Sequence, residues 1–173
     1  MLNITKWFKR IMLAPIVCII PITSLAATSF LATDKPFILI EDEHDRAEAW
    51  GTCVATYNLA SMLQAESSPA MSKQLSQLSN GATIAFYMNY LMGVDSDASS
   101  DQLSARINMG KLLMKSIPET QLTGMLARGE LLQHNEEWHT LVTNTLGLCM
   151  GNLDQQKSLI NTWRDLSASG AFE

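Results

Sequence analysis

The chain has 173 residues, of which 47% are hydrophobic and 17% are charged. A chain of this length forms one domain with a substantial core rather than two domains. Its formal charge of −5 argues against nucleic-acid binding, which normally needs a basic face. The regular spacing of the apolar residues argues against intrinsic disorder.

Residues 1–26 have the layout of a secretory signal peptide. A positively charged start precedes an apolar run over residues 11–22, and small residues at positions 24 and 26 favour cleavage after Ala26. The alternative is a retained anchor, because residues 11–33 carry no charge and approach the ~20 residues that a membrane span needs. Cleavage predicts a periplasmic or secreted protein with no stable membrane anchor.

The cysteines predict one disulfide. Cys18 leaves with the signal peptide, so that Cys53 and Cys149 remain, 96 positions apart. An even number of cysteines in an oxidising compartment favours a bridge. Two buried free thiols are the alternative. A catalytic thiol is disfavoured, since neither cysteine has a Cys-x-x-Cys partner or a neighbouring basic residue to lower its pKa.

Residues 27–41 are the one part of the exported chain that does not have a helical pattern. Pro36 is followed by the short apolar run Phe37-Ile38-Leu39-Ile40, and no second run of this kind is available to pair with it as a sheet. We therefore expect an extended N-terminal strap laid over the helices, or a segment that meets a partner.

Residues 42–168 are predicted to form a single helical domain. Its start is acidic, as the helix dipole favours, and Ser116-Ile117-Pro118-Glu119 matches a capping box that would begin a new helix. The predicted helices cover residues 42–64, 69–92, 100–116, a fourth from Pro118, a fifth capped by Asn135, and 153–166. The fold class is therefore all-α: an antiparallel bundle of five to six helices with an extended N-terminal strap, pinned by one disulfide.

The second helix is apolar almost all round from Ala82 to Val94. Such a helix is either central to the domain or offers surplus surface to a partner. If a partner exists, its predicted contacts are Phe86, Tyr87, Tyr90 and Met92.

Metal-binding patterns are present but weak. Glu41 with His44, and Glu136 with His139, both spell Glu-x-x-His, the pair that di-metal helical bundles project inward. Both pairs fall in the first turn of a predicted helix, and the middles of the second and third helices supply no further carboxylates. Met88 and Met92 are spaced to hold Cu(I), although core packing explains methionines more often. We predict no metal and no cofactor.

No nucleophile elbow, phosphate-binding loop, haem-attachment motif or calcium loop is present in the sequence. The chain is therefore expected to be a non-catalytic exported protein that binds another protein, of the inhibitor, immunity or adaptor type. The alternative is a helical bundle that binds a small ligand or a metal (di-metal or copper), with or without an activity.

Overall fold

Five α-helices and one 3₁₀ turn make up the regular structure of the computed structural model, which describes residues 29–93 and 97–170. The 3₁₀ turn is Phe37–Leu39, and the helices are α1 (Glu43–Gln64), α2 (Pro69–Met92), α3 (Ser100–Leu131), α4 (Glu136–Gly151) and α5 (Leu153–Ala168). The all-helical prediction is confirmed. The predicted signal peptide lies outside the described residues.

The helices begin where the sequence supplies capping groups. The side chain of Asp42 accepts a hydrogen bond from the backbone N–H of Asp45, and Asn135 accepts one from Trp138, as predicted. Such caps satisfy backbone donors that the first helical turn leaves unpaired.

The prediction of a new helix at Pro118 is wrong. α3 runs unbroken through this residue, and the capping box lies instead at its start, where Ser99 pairs with Gln102. Pro118 is buried inside α3, and both sides of it pack on α1: Ile117 lies against Gly51, and Met125 contacts Thr56. These tertiary contacts hold the helix together across a residue that locally favours a break. Five helices, rather than six, are present in the described residues.

α1 is the central helix. It runs antiparallel to α2, because the Ser61 hydroxyl bonds to the Ser72 carbonyl at 2.9 Å while the Ser79 hydroxyl bonds to the Val54 carbonyl at 3.3 Å. Twelve of its residues are buried, more than in any other described helix. A helix surrounded by neighbours buries most of its circumference, which is the position that α1 occupies here.

α4 and α5 continue in one direction, separated only by Asn152. The Cys53–Cys149 disulfide, with a Cα–Cα distance of 5.6 Å, ties α1 to α4, and the predicted bridge is confirmed. α5 then lies along α2, where Gln156 donates to the carbonyl of Leu78 at 3.2 Å.

The N-terminal segment 29–41 is bent and contains the 3₁₀ turn, so the prediction of an extended strap is not confirmed. Phe37 is fully buried and packs edge-to-face on Trp50 with ring centroids 4.9 Å apart. Its backbone N–H donates to the side-chain oxygen of Asn152 at 2.9 Å, and the N–H of Phe30 donates to the hydroxyl of Thr145 at 2.8 Å. The segment is thereby fixed to α1, α4 and the α4–α5 junction.

Within residues 29–93 and 97–170, no helix is both long and apolar enough to cross a membrane.

Candidate functional site

A cleft of about 710 Å³ opens between the N-terminal segment and the first turns of α1. We call it the acidic cleft. It is lined by Phe30, Leu31, Ala32, Thr33, Lys35, Leu39, Ile40, Glu41, Asp42, Asp45, Glu48, Ala49, Thr52 and Gln121. Phe30 and Phe37 anchor the N-terminal segment at two points beside the cleft, and Leu31 between them is buried.

The lining of the acidic cleft is strongly negative. It contains four carboxylates and one amine, that of Lys35. The guanidinium of Arg46 pairs with Glu43, which does not line the cleft, at 3.7 Å and donates to the backbone carbonyl of Glu41 at 3.4 Å. Clustered charges of one sign in a cleft raise the local concentration of oppositely charged groups.

Two exposed aliphatic side chains follow Phe37: Leu39, which lines the acidic cleft, and Ile38, the residue before it. Ile38 is 67% exposed and Leu39 is 60% exposed, although the residue before them, Phe37, is fully buried. We call this pair the apolar tip. The chain is held on both sides of the apolar tip, by the buried Phe37 before it and by the start of α1 after it.

A second concavity, of about 420 Å³, lies between α2 and α4, two helices that both pack on α1 but make little contact with each other. We call it the α2–α4 groove. Its lining comes from α1 (Ala60, Leu63, Gln64), α2 (Met71, Gln74, Leu75, Leu78) and α4 (His139, Val142, Thr143, Leu146, Met150).

The four residues predicted to contact a partner lie mostly in the core. Phe86, Tyr87 and Tyr90 are buried, whereas Met92 is 48% exposed. Arg106 of α3 covers the ring of Tyr90 at 4.1 Å. The apolar side chains of this part of α2 are therefore buried against α1, α3 and α5. Of the four predicted contact residues, Met92 alone is exposed.

The candidate metal ligands are divided between two surfaces. Glu41 lines the acidic cleft and His139 lines the α2–α4 groove, while His44 and Glu136 are exposed. No group of three or more His, Cys, Asp or Glu side chains in the described part of the chain is placed to hold a metal ion. The suggested copper pair is also divided by burial, since Met88 is buried and Met92 is not.

Two buried tyrosines have raised pKa values. Burial raises the pKa of Tyr57 to about 12, and burial also raises the pKa of Tyr87. The hydroxyl of Tyr57 has no hydrogen-bond partner among the described residues. Both tyrosines are core residues, and neither lines the acidic cleft or the groove.

Sequence reasoning singled out the apolar run after Pro36 but did not find the groove. The apolar run is continuous in sequence, so its partial exposure could be suspected from composition alone. The groove combines residues from three helices, and its existence depends on α2 and α4 lying apart on α1. Comparison with protein-family models, with curated proteins and with solved structures finds no match to this chain.

Proposed function

We propose that this chain is an exported, non-catalytic protein that acts by binding another protein, of the inhibitor, immunity or adaptor type. The apolar tip beside the acidic cleft is the observation that carries the proposal. The partner would present a basic surface with an apolar depression. The buried disulfide between Cys53 and Cys149 supports export, since such bonds persist in oxidising compartments.

The combination of apolar and charged groups suits protein recognition. Burying Ile38 and Leu39 would remove apolar surface from water, and a fully buried aliphatic side chain contributes about 1.5–3 kcal/mol. Carboxylates around such a centre steer a basic partner and fix its orientation, more than they add affinity. Their attraction weakens as salt screens it, over a Debye length of about 10 Å at 0.1 M.

Site-specific photo-crosslinking tests the proposal. A benzophenone amino acid replaces Ile38 in one sample and Leu112 in another, and the chain is expressed with its own leader in the cells that normally make it. Leu112 lies on α3 and is also 67% exposed, so it matches Ile38 in accessibility. We expect a discrete protein adduct from position 38 and none of the same mass from position 112.

A charge-reversal pair tests the role of the acidic cleft. Asp45→Lys with Glu48→Lys should abolish the adduct, while Glu136→Lys with Asp154→Lys should preserve it. Both pairs change the net charge equally and alter exposed carboxylates near helix starts, so that their costs to the helix dipole are comparable. Equal adducts from positions 38 and 112, or an adduct that survives reversal of the cleft charge, would refute the proposal.

A further inference from the structure

We infer that the α2–α4 groove binds the hydrocarbon chain of a single-chain amphiphile with an anionic head group, of which a fatty acid is the simplest. This ligand site is independent of the proposed protein-binding face. Its volume of about 420 Å³ lies in the range typical of small-molecule sites, about 300–1,000 Å³.

The polar side chains of the lining lie toward one end, where Leu63 and Met71 accompany them, and the other end is apolar. α1 and α4 are antiparallel, since Cys53 bonds to Cys149 whereas Leu59, further along α1, clusters with Trp138 near the start of α4. Gln64 and His139 therefore mark the same end, which we call the mouth. Gln74 lies one turn from the start of the α2 lining at Met71. The far end is formed by Leu78, Leu146 and Met150.

The far end is also where α5 crosses to α2. Gln156 of α5 donates to the carbonyl of Leu78 at 3.2 Å, so α5 reaches α2 at this end of the lining. Polar groups gathered toward one end of a mostly apolar lining match a ligand with one polar head and one hydrocarbon tail. An apolar chain gains free energy for each buried methylene, about 0.8 kcal/mol.

The length of the lining suits a single hydrocarbon chain. His139 and Met150 are eleven positions apart on α4, so the α4 side of the groove is about 16 Å long at 1.5 Å per residue. An extended carbon chain advances about 1.25 Å for each C–C bond of ~1.52 Å, so about 13 bonds span the groove and the shorter chain of dodecanoate fits within it.

The charges favour an anionic head group. No carboxylate lines the groove, although the chain as a whole is acidic, and His139 is the one lining side chain able to carry a positive charge. The amide groups of Gln64 and Gln74 supply further hydrogen-bond donors near the mouth. Met71 and Met150 add flexible thioethers, which adapt readily to the shape of an apolar ligand.

Isothermal titration calorimetry on the delipidated, oxidised protein tests the inference, with each amphiphile kept below its micelle-forming concentration. We expect one dodecanoate per chain. Octanoate should bind at least tenfold more weakly because its tail is four carbons shorter. Dodecyltrimethylammonium, with the same tail length and the opposite charge, should bind at least fivefold more weakly than dodecanoate.

Three variants locate the site. Met150→Glu should weaken dodecanoate binding at least tenfold, whereas Met109→Glu should leave it unchanged. Met109 lies on α3 and is 49% exposed, against 47% for Met150, so the two substitutions place the same charge at equally accessible methionines. His139→Ala should weaken binding of dodecanoate and leave binding of dodecyltrimethylammonium unchanged. Matching circular dichroism and thermal unfolding establish that each variant is folded.

Several results would overturn the inference. They are the absence of dodecanoate binding, equal affinity for octanoate and dodecanoate, or equal losses from Met150→Glu and Met109→Glu. A membrane surface is the other source of acyl chains, and sedimentation with phosphatidylglycerol vesicles distinguishes it. Vesicle binding that Met150→Glu abolishes, without binding of free dodecanoate, would assign the groove to a bilayer instead.

Discussion

The Cys53–Cys149 disulfide closes a loop of 96 residues that contains most of the helical domain. In the loop-entropy model, a cross-link over this length removes roughly 16 cal/mol/K of entropy from the unfolded chain, or about 4.7 kcal/mol at 25 °C. Domains of this kind have total stabilities of about 5–15 kcal/mol. The bond therefore supplies a large share of the free energy of unfolding.

Replacing both cysteines by alanine should lower the free energy of unfolding by about 4–5 kcal/mol. Both sulfur atoms lie in fully buried residues, so lost packing adds to the entropic loss rather than offsetting it. Urea denaturation followed by circular dichroism measures the change, with Cys149→Ala alone as the control, since it also removes the bond. A loss below about 1 kcal/mol in the double variant would refute the reasoning.

Further predictions concern the buried Tyr57 and two glycines of α3. Tyr57 should lower the free energy of unfolding above pH 10, because its pKa rises from 10.0 to about 12 on folding. The unfolded chain loses the phenolic proton first, so up to about 3 kcal/mol of stability is lost as the pH rises through this window. Tyr57→Phe should reduce that alkaline loss in pH-dependent urea denaturation, and an unchanged pH profile would contradict it. Gly110→Ala should destabilise α3, since a Cβ there would lie 2.7 Å from the ring of Tyr87. Gly124→Ala in the same helix, where nothing lies within 4 Å of an added Cβ, should stabilise the protein by about 0.5–1 kcal/mol. Thermal unfolding in which Gly110→Ala is the more stable of the two variants would refute the close packing of Gly110 on Tyr87.

The positions of the helices could be predicted from the sequence because their signals are local. The cap at Asn135 and the proline that opens α2 act within one helical turn, and both lie where expected. The predicted helix break at Pro118 is wrong for the same reason. The local signal for a break is outweighed by contacts with α1, which is distant in sequence.

The identity of the central helix could not be predicted. α2 has the more apolar sequence, yet α1 has the more complete set of neighbours, because the N-terminal segment, α2, α3 and α4 all pack on it. The burial of Tyr87 and Tyr90 follows from α3 lying across them, which no pattern in α2 indicates. The α2–α4 groove depends on how far apart two helices lie, and this is a property of tertiary packing alone.

The most direct test of the proposed function is native mass spectrometry of the protein purified from the cells that normally make it. We predict a chain that starts at Ala27, two hydrogens lighter than its reduced form, in a stoichiometric complex with a second protein. The complex should persist through purification at low ionic strength, dissociate at high ionic strength, and be absent from the Asp45→Lys, Glu48→Lys variant. A bare chain under all conditions, or a complex that neither salt nor charge reversal disturbs, would contradict the proposed function.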